Sequence, residues 1–425
     1  MPRRVVITGL GVLAPNGKGK EEFWQATIAG RSGVRRISRF DAGRLSTQIA
    51  GEISDFDPET FGLTPQEYMD LGRGTQFALA AANLALQDAG LTNTLSEEER
   101  DATGVYMGSA MTSVEEAEHL WVQFTDGGVH SPRLTNKSEF ISATPLMTHA
   151  PAAAIAVHHR LHGPCTSFTT ACSAGADAIG QAFWTIQEGY ADRMLAGGCD
   201  SAITCVGINV FSVIGALSTR NNEPEKASRP YDNERDGFVM AEGAAVLLLE
   251  ERDAALARNA HIYAEIIGFA SNSNAHHMTS LPEDGAPLQQ LLQQIMYEAN
   301  IAQPDYINAH GSSTLPNERA ETAAYKAVFG NAVYHIPISA TKSMIGHTQG
   351  AASAIEALVT ALVLEHQLLP PTINQQFPDP VCDLDYVPNV ARSAVVNVAL
   401  THSSGFGGVN TALLFARPDW RDTQR

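Results

Sequence analysis

The chain has 425 residues, 44% of them hydrophobic and 17% charged, enough to bury a large core in two or three domain-sized units. Its formal net charge of −18, from 28 Lys+Arg against 46 Asp+Glu, argues against nucleic acid as a partner. The chain has five cysteines, an odd number, which disfavours a disulfide scaffold or a zinc site. It has no long apolar run and no signal peptide, which predicts a cytoplasmic protein without membrane contact.

The predicted elements of the first half alternate between strands and helices. Apolar patterning predicts strands at 5–12, 104–108, 194–198 and 238–249, a helix at 77–90, and another helix directly behind Cys172. A polar insertion spans 112–142. Gly9 and Gly11 lie in the first strand without a third glycine at the spacing of a dinucleotide-binding loop, so a nucleotide site there is disfavoured.

The second half repeats this order. Strands are predicted at 261–269, 306–312 and 410–415, and helices at 288–300 and 354–364. The last helix is apolar on nearly every face, as expected of a helix packed between two sheets. We therefore predict an α/β fold with two halves, residues 1–255 and 256–425, whose parallel-type sheets have helices packed between and around them.

The stretch around Cys172 is the first candidate for chemistry. Small residues crowd the cysteine at 168–175, and apolar residues at positions 179, 182, 183 and 186 predict a helix that begins immediately behind it. The unpaired N–H groups and the dipole of a helix N-terminus favour an anion and lower a thiol pKa. Cys172 is therefore a candidate nucleophile; the alternative is a buried cysteine that packs as a small hydrophobic residue.

Four further stretches combine polar side chains with small residues. His310 lies at a predicted strand end, and Lys342 and His347 lie just before a helix. The glycines within 405–408 permit positive φ angles and close backbone approach, so N–H groups there can point at a ligand oxygen. The fourth stretch is the polar loop 274–279.

Taken together, these stretches resemble the β-ketoacyl-acyl-carrier-protein synthases of the thiolase superfamily, in particular the elongating synthase II group and the ketosynthase subunit of type II polyketide synthases. The family's motifs occur in order at 5–11, at 170–173, at 309–311 with Glu321, at 342–343 with 346–347, and at 405–408. The resemblance implies a thiolase fold, in which duplicated βαβαβαββ halves form a five-layer αβαβα sandwich. It also implies an acyltransferase that condenses a Cys-bound acyl chain with malonyl-acyl carrier protein to give β-ketoacyl-acyl carrier protein.

The resemblance assigns roles to the polar residues. Cys172 is expected to hold the acyl group as a thioester, and His310 and His347 to stabilise the malonyl-derived enolate through Nε2. Lys342 is expected to fix the charge near the histidines and to pair with Glu321. Thiolases use a second cysteine and chalcone-type synthases a Cys-His-Asn set, so the Cys-His-His type is favoured.

The resemblance also implies an oxyanion hole and a gate formed by Cys172, Phe406, Gly405 and Gly407. The backbone N–H groups of Cys172 and Phe406 are expected to bind the oxyanion, and the Phe406 ring to form the gate over the cysteine. His402 and Ser404 depart from the family's Asn-Ser-Phe-Gly-Phe-Gly-Gly pattern, because His402 replaces the amide and Ser404 the first Phe. We expect altered gating and an acyl tunnel that accepts a larger or more polar chain.

Substrate contacts are expected at Thr279, His277, Met111, Phe211, Ser312 and Thr314. Thr279 is expected at the malonyl or pantetheine end and His277 in the pocket wall, whereas Met111 fits the acyl pocket and an ordinary core methionine equally well. The pair His276 and His277 suggests a metal, but no carboxylate or cysteine lies at ligand spacing, so no metal is expected.

The resemblance implies an acyl carrier protein as partner, bringing substrates on its phosphopantetheine, and no cofactor of the enzyme's own. Because the chain is acidic, docking needs local cations, and the candidates are Arg73, Arg133, Lys137 and Arg220. The chain is expected to form a homodimer, or a heterodimer with a chain-length factor that lacks the cysteine.

Three alternatives remain open at this stage. The pathway is a type II polyketide or polyene pathway, which the segments 277–279 and 263–265 slightly favour, or housekeeping fatty-acid elongation. The enzyme is a condensing enzyme, or an acyltransferase or decarboxylase that never condenses. A non-catalytic interaction subunit is disfavoured because such subunits lose the nucleophile.

Overall fold

The structure, a computed structural model, describes residues 2–92, 94–111, 114–131 and 144–420. Its strands are β1 (Val5–Ala14), β2 (Gly17–Lys18), β3 (Arg35–Arg36), β4 (Ile49–Ala50), β5 (Thr103–Gly108), β6 (Cys165–Phe168), β7 (Arg193–Asp200), β8 (Gly243–Glu251), β9 (Ala264–Ser273), β10 (Tyr306–Asn308), β11 (Ile338–Ser339), β12 (Leu368–Leu369), β13 (Arg392–Ser393), β14 (Val398–Ser404) and β15 (Val409–Ala416).

Its helices are α1 (Lys20–Ile28), α2 (Pro65–Asp70), α3 (Arg73–Asp88), α4 (Glu97–Asp101), α5 (Val114–Thr125), α6 (Ala150–His159), α7 (Ala174–Gln187), α8 (Cys205–Val213), α9 (Arg252–Ala257), α10 (Ala286–Ala299), α11 (Leu315–Phe329), α12 (Lys342–Ile345) and α13 (Ala352–His366). None of the helices in the described ranges has the length and hydrophobicity needed to cross a membrane.

Two five-stranded sheets with the same strand order form the frame, and they join edge to edge, with β2 added on β1, into one 11-stranded sheet. Neighbouring strands follow the order β6-β5-β7-β8-β1 in the first half and β11-β10-β14-β15-β9 in the second. When the five strands of each half are numbered in chain order, the neighbours across each sheet are the third, second, fourth, fifth and first strands. The topology therefore shows the duplication that the repeated pattern predicts, and the thiolase-type fold is confirmed.

Each sheet is mixed rather than parallel throughout. β5 runs parallel to β6 and β7, and β10 runs parallel to β11 and β14. β8 pairs antiparallel with both β7 and β1, and β15 pairs antiparallel with both β14 and β9. The two sheets meet where residues 5–7 of β1 pair antiparallel with residues 264–266 of β9.

Helices α7 and α13 form the layer between the sheets. α7 packs on β5 and β7 of the first sheet and on β15 of the second, while α13 packs on β8 and β14. α13 is buried from Ala352 to Leu364, which explains its apolar composition on every face. On the outer faces, α3 and α6 cover the first sheet and α10 covers the second, with α11 packed on α10.

Glycines allow the central helices to approach each other and the sheets closely. A Cβ at Gly175 in α7 would lie 2.8 Å from the Cβ of Ala354 in α13, and one at Gly198 in β7 would lie 2.4 Å from the carbonyl oxygen of Gly350. Because the backbones meet here, the start of α7 is held against the segment that precedes α13. This contact brings the two halves of the site together.

Most predicted elements are found, with shifted ends. The helix predicted at 77–90 begins already at Arg73, and the strand predicted from 238 begins at Gly243. The predicted insertion contains α5, and its residues 112–113 and 132–142 lie outside the described ones. The elements that the patterning missed include α1, α11, the alanine-rich α6, and β14, whose end the glycines had assigned to a loop.

Candidate active site

Cys172 lies at a tight elbow between β6 and α7. β6 ends at Phe168, a 3₁₀ turn covers Ala171–Ser173, and α7 begins at Ala174. Ala171 has a φ of 53°, a left-handed conformation that is uncommon for a residue with a side chain. The predicted helix behind Cys172 is confirmed, and the elbow presents the sulfur at its N-terminal end.

Burial controls the protonation of the nucleophile. It raises the pKa of the Cys172 thiol to about 11, against smaller lowering effects from the Lys342 ammonium and the Phe406 N–H. The pKa is therefore raised and not lowered as expected from the helix N-terminus, because the cost of removing a thiolate from water exceeds the stabilisation by Lys342 and the Phe406 N–H. Cys172 is kept as a neutral thiol, and its proton must leave when the acyl group arrives.

His310 and His347 face Cys172 from the second half. His310 follows β10, and His347 follows α12 after Gly346, whose φ of 74° turns the chain. The Cys172 sulfur and one ring nitrogen of each histidine all lie within 4.8 Å of one another. The two rings meet edge to face with centroids 5.4 Å apart. The structure thus brings the predicted trio together.

A backbone donor fixes the tautomer of His347, and an ammonium lies beside Nδ1 of His310. Lys342 Nζ donates to the His310 carbonyl at 2.7 Å, lies 3.5 Å from His310 Nδ1, and forms a buried ion pair with Glu356. Nδ1 of His310 faces both this ammonium and the Ser403 hydroxyl oxygen, and the tautomer in which Nδ1 accepts from the ammonium carries the ring proton on Nε2. The Gln349 N–H donates to Nδ1 of His347 at 3.1 Å, which leaves that ring's proton on Nε2 as well.

Both histidines are neutral at physiological pH. Burial, followed by the Lys342 charge, lowers the pKa of His310 and of His347 well below the usual value. A neutral imidazole with its proton on Nε2 is a hydrogen-bond donor. The pair can therefore stabilise a negative oxygen without first being protonated.

Lys342 pairs with Glu356 on α13, so the predicted pairing with Glu321 is wrong. Glu321 instead accepts hydrogen bonds from the Tyr231 hydroxyl at 2.7 Å and from the Gly311 N–H at 3.2 Å. Burial raises the pKa of Glu321 to about 8 and that of Glu356 to about 7. Glu321 is accordingly protonated at neutral pH and holds the turn after β10, while Glu356 anchors the ammonium.

Two residues of this site were missed in the sequence. The Ser403 hydroxyl donates to the Cys172 carbonyl at 3.0 Å and lies 3.2 Å from His310 Nδ1, so it ties the two halves together. A serine beside another serine gives no signal that would single it out. The sequence does contain a signal for Glu356, because an acidic residue within an otherwise apolar helix needs a buried partner.

Asp200, at the end of β7, is a third residue that the sequence reasoning missed. Its buried carboxylate accepts from the backbone N–H groups of Ala110 and Met111 at 2.8 Å each, and from that of Gly350 at 2.6 Å. Burial raises its pKa to about 6. Asp200 thus joins the loop after β5 to the segment behind His347, and a lone acid ending a buried strand could have signalled it.

A cavity of about 310 Å³ leads to Cys172. Besides the catalytic trio, its lining includes the predicted Gly405, Phe406, His277, Thr279, Ser312 and Thr314, together with Ser404. The hydroxyl oxygens of Ser312 and Thr314 are 3.0 Å apart, so both can face a polar arm. Met111 and Phe211 lie outside this lining, in an adjoining apolar cluster.

Phe406 separates the cavity from that apolar cluster. Its ring is 38% exposed and stacks on Phe211 with centroids 6.0 Å apart, and Phe211 in turn packs against Phe238. Gly407 and Gly408 follow with φ near +84°, a conformation that favours glycine. This position suits a gate between the cavity and an acyl pocket, and the Phe406 N–H points at the sulfur.

His402 does not act at the tunnel. Its side chain is buried in β14 with Nε2 on the Tyr325 hydroxyl, and burial lowers its pKa to about 3. Of the two departures from the family pattern, Ser404 faces the cavity and His402 does not. The expected effect on the acyl tunnel therefore rests on Ser404 alone.

The predicted docking cations are engaged or lie outside the described residues. Arg73 donates to both carboxylate oxygens of Glu242 and is only 22% exposed, so little of its charge is available at the surface, and its docking role stays a prediction. Arg220 lies 3.8 Å from Glu223 and 3.7 Å from Glu234. Arg133 and Lys137 lie outside the residues that the structure describes.

The candidate metal ligands divide into two groups. His276 and His277 are exposed on the loop after β9. The catalytic trio offers one sulfur and two nitrogens, which are donor types that zinc accepts. The expectation that the enzyme works without a metal stays a prediction.

Comparison with known proteins gives consistent matches. The domain descriptions "Beta-ketoacyl synthase, N-terminal domain" and "Beta-ketoacyl synthase, C-terminal domain" match residues 2–255 and 263–376. The granaticin polyketide putative beta-ketoacyl synthase 1 of Streptomyces violaceoruber is 43% identical over 424 residues, 99% of each chain. The 3-oxoacyl-[acyl-carrier-protein] synthase 2 of Coxiella burnetii is 41% identical over 417 residues, 98% of this chain and 99% of the relative.

Two solved structures extend these matches to three dimensions. One is a type II polyketide synthase acyl-carrier protein in complex with its ketosynthase bound to the hexaketide; it has a TM-score of 0.89 and 37% identity over 99% of this chain and 100% of that chain. The other, the ishigamide ketosynthase/chain length factor, has a TM-score of 0.86 and 34% identity over 98% and 99%. On motif order, fold and full-length similarity, the chain belongs to the β-ketoacyl synthase family of condensing enzymes.

Proposed function

We propose that this chain extends an acyl group held on Cys172 by decarboxylative Claisen condensation with malonyl-acyl carrier protein. The observation that carries the proposal is the meeting of three groups in one cavity: the sulfur and the nitrogens of His310 and His347, all within 4.8 Å of one another. The first half-reaction needs a thiol that can hold the acyl group as a thioester. The second needs N–H donors for the enolate oxygen, and the two neutral histidines supply them.

The first half-reaction loads the acyl group. The Cys172 sulfur attacks the thioester carbonyl of the acyl-carrier protein, and the backbone N–H groups of Cys172 and Phe406 bind the oxyanion that develops. The carbon–sulfur bond to the carrier breaks, and the thiol proton of Cys172 ends on the carrier's thiol. Proton transfer is coupled to attack, because a free thiolate is disfavoured at a pKa of about 11.

The second half-reaction lengthens the chain. The bond between the malonyl α-carbon and its carboxylate breaks, carbon dioxide leaves, and the electron pair stays as an enolate. The Nε2–H groups of His310 and His347 donate to the enolate oxygen. The enolate carbon attacks the Cys172 thioester, a carbon–carbon bond forms, and the expelled thiolate takes a proton from solvent.

The pathway that we propose is that of a type II polyketide synthase. Five curated relatives at 42–43% identity are named polyketide ketoacyl synthases, although a 3-oxoacyl-[acyl-carrier-protein] synthase 2 follows at 41%. Fatty-acid elongation is therefore the second candidate. Ser404 supports the first, because it replaces an aromatic side chain in the cavity wall with a small polar one.

The partners that we propose are an acyl carrier protein and a second ketosynthase-fold subunit. Solved relatives include a carrier protein in complex with its ketosynthase and a ketosynthase paired with a chain length factor. Whether the second subunit is a copy of this chain or a chain-length factor stays open, and the cytoplasmic location and the absence of a resident cofactor stay predictions.

The test is the mass of the acyl species on the carrier after incubation with acyl- and malonyl-carrier protein, with purified subunit alone and with its sister subunit. We expect unreduced poly-β-keto chains longer than the starter, and none with Cys172→Ala. Extension that stops after one unit and resumes only when reducing enzymes are added supports fatty-acid elongation. Transfer or decarboxylation without a longer chain contradicts condensation.

A further inference from the structure

A second cavity of about 310 Å³ lies between the ends of α3 and α6 and the short helix α4. It shares no lining residue with the cavity that leads to Cys172. Three leucines and four basic side chains line it: Leu86, Leu91, Leu95, Arg100, His158, His159 and Arg160. The leucines are buried and give the cavity an apolar wall, and no carboxylate lines it in the described part of the chain.

The two arginines of this cavity lack an acidic partner. Among the residues that the structure describes, neither Arg100 nor Arg160 forms an ion pair or a side-chain hydrogen bond. Glu99, next to Arg100 in the sequence, pairs with Arg193 at 3.0 Å instead. Acids are in excess in a chain with a net charge of −18, and yet two guanidinium groups at one cavity are left without one. They are therefore available to an anion from outside the chain.

His159 adds a hydrogen-bonding group without a partner to the same wall. Its Nε2 is buried and has no hydrogen-bond partner within the described ranges, whereas the neighbouring His158 contacts Glu67 at 2.5 Å. Burial, with smaller effects from His158 and Arg100, lowers the pKa of His159 to about 4, against a raising effect from Glu67. The ring is therefore neutral at pH 7 and can donate one N–H. Buried polar groups in folded proteins are rarely left unpaired, and a bound ligand or water is a common partner.

We infer that Arg100, His159 and Arg160 form a binding site for the phosphate group of a small phosphate monoester, whose apolar part lies on the three leucines. Two guanidinium groups match the double negative charge of such an ester, and their planar forks pair well with phosphate oxygens. The leucines favour an ester over free phosphate, because inorganic phosphate has no apolar part to place on them. The volume of about 310 Å³ lies at the small end of the range of ligand pockets.

Phenyl phosphate is the probe, since it combines a phosphate dianion with a small apolar ring. We expect saturable binding to the purified chain at pH 8 by isothermal titration calorimetry. Arg100→Gln/Arg160→Gln should weaken this binding about tenfold or more, because charge-assisted hydrogen bonds are lost. Arg31→Gln/Arg44→Gln is the matched control, because it removes the same charge at two exposed arginines outside the cavity, and it should bind as wild type does. Inorganic phosphate should bind more weakly than the ester, and phenol should not bind measurably.

Four results would overturn the inference. Equal weakening in the two double variants would show that binding follows net charge alone, and unchanged binding in Arg100→Gln/Arg160→Gln would place the ester elsewhere. Inorganic phosphate that binds as tightly as the ester would remove the role of the leucines. A changed oligomeric state of Arg100→Gln/Arg160→Gln by light scattering would assign the two arginines to an acidic surface of a second subunit. Urea unfolding of both double variants confirms that each is folded before binding is compared. The inference does not depend on the proposed function, because the two cavities share no residue.

Discussion

At the scale of single residues, the site keeps its reacting groups neutral. Burial holds the Cys172 thiol protonated and both imidazoles uncharged. The charge that remains close to them is the Lys342 ammonium, anchored by Glu356 and aimed at His310. A negative charge therefore arises next to the histidines only during the reaction, on the enolate or on the departing thiolate.

The thiol should therefore react slowly with alkylating agents at neutral pH. With a pKa of about 11, the thiolate fraction is about 10⁻⁴ at pH 7, and the rate of Cys172 alkylation by iodoacetamide should rise about tenfold per pH unit up to pH 10. Peptide mass mapping separates Cys172 from the exposed Cys165 and Cys205. A rate that levels off above pH 7 would show a helix-activated thiolate instead.

The partner of Lys342 is testable with two matched acid-to-amide changes. Above pH 7, where Glu356 with its pKa of about 7 is mainly ionised, Glu356→Gln should destabilise the fold by about 3–5 kcal/mol, because it leaves a buried ammonium without its counter-charge. It should also slow malonyl decarboxylation about tenfold or more by freeing the group that orients His310. Both effects are measured by chemical unfolding and carbon dioxide release.

Glu321→Gln is the control for that experiment. Glu321 is protonated at neutral pH, so an amide can keep its bonds to Tyr231 and Gly311. Decarboxylation should stay within about threefold of wild type, the change expected when no reacting group moves. The assignment of Glu356 as the anchor is lost if Glu321→Gln is the more damaging of the two.

At the scale of elements, the site depends on the contact between α7 and α13. One helix carries Cys172 at its start, and the segment before the other carries His347, so their separation sets the distance between nucleophile and donor. Gly175 lies where they touch, against Ala354 and Gly350. Cys172 from the first half and His347 from the second half therefore meet through the layer that α7 and α13 form.

Gly175→Ala should push the helices apart. The added Cβ would lie 2.8 Å from the Ala354 Cβ and 3.0 Å from the Gly350 oxygen, so we expect a loss of about 1–3 kcal/mol in the free energy of unfolding and slower condensation. Denaturant unfolding and product formation measure the two effects. Gly43→Ala, at an exposed glycine that faces only the Asp41 side chain, should change neither. Equal behaviour of the two variants would contradict the proposed role of the contact.

At the scale of the whole molecule, buried acids and buried histidines make stability depend on pH in opposite directions. Glu321 and Glu356 have pKa values raised to about 8 and about 7, so the fold binds their protons more tightly than the unfolded chain does. Their stabilisation is complete below the unfolded pKa and is lost as pH rises through the folded value. His310 and His347 have lowered pKa values, so their contribution is lost as pH falls below about 6.5.

The alkaline decline should therefore flatten when one of these acids is removed. Wild type should lose stability between pH 6 and pH 8, and Glu321→Gln should lose less, by up to about 1.4 kcal/mol per pH unit. Urea unfolding at several pH values gives both curves. Parallel curves would mean that Glu321 is ionised in the folded protein.

Local signals in the sequence predict the duplicated fold and mark Cys172 and His310 as candidates, and the resemblance to the family joins them with His347 as a trio. Cys172 stands before a helical pattern, His310 ends a strand, and the same element order occurs twice. The partner of Lys342 was predicted wrongly because Glu321 and Glu356 both lie on helices, and only the packing of α13 beneath the ammonium decides between them. The thiol pKa was wrong in direction because a helix start is visible in sequence whereas burial is a property of the assembled fold.

The most direct measurement is peptide mass spectrometry of the enzyme after incubation with acyl-carrier protein, performed on wild type and on the His310→Ala/His347→Ala variant. The account predicts an acyl thioester on the Cys172 peptide of both, and on addition of malonyl-carrier protein its disappearance from wild type alone, with a longer chain on the carrier. An acyl group on a different residue, or a longer chain formed without both histidines, would contradict it.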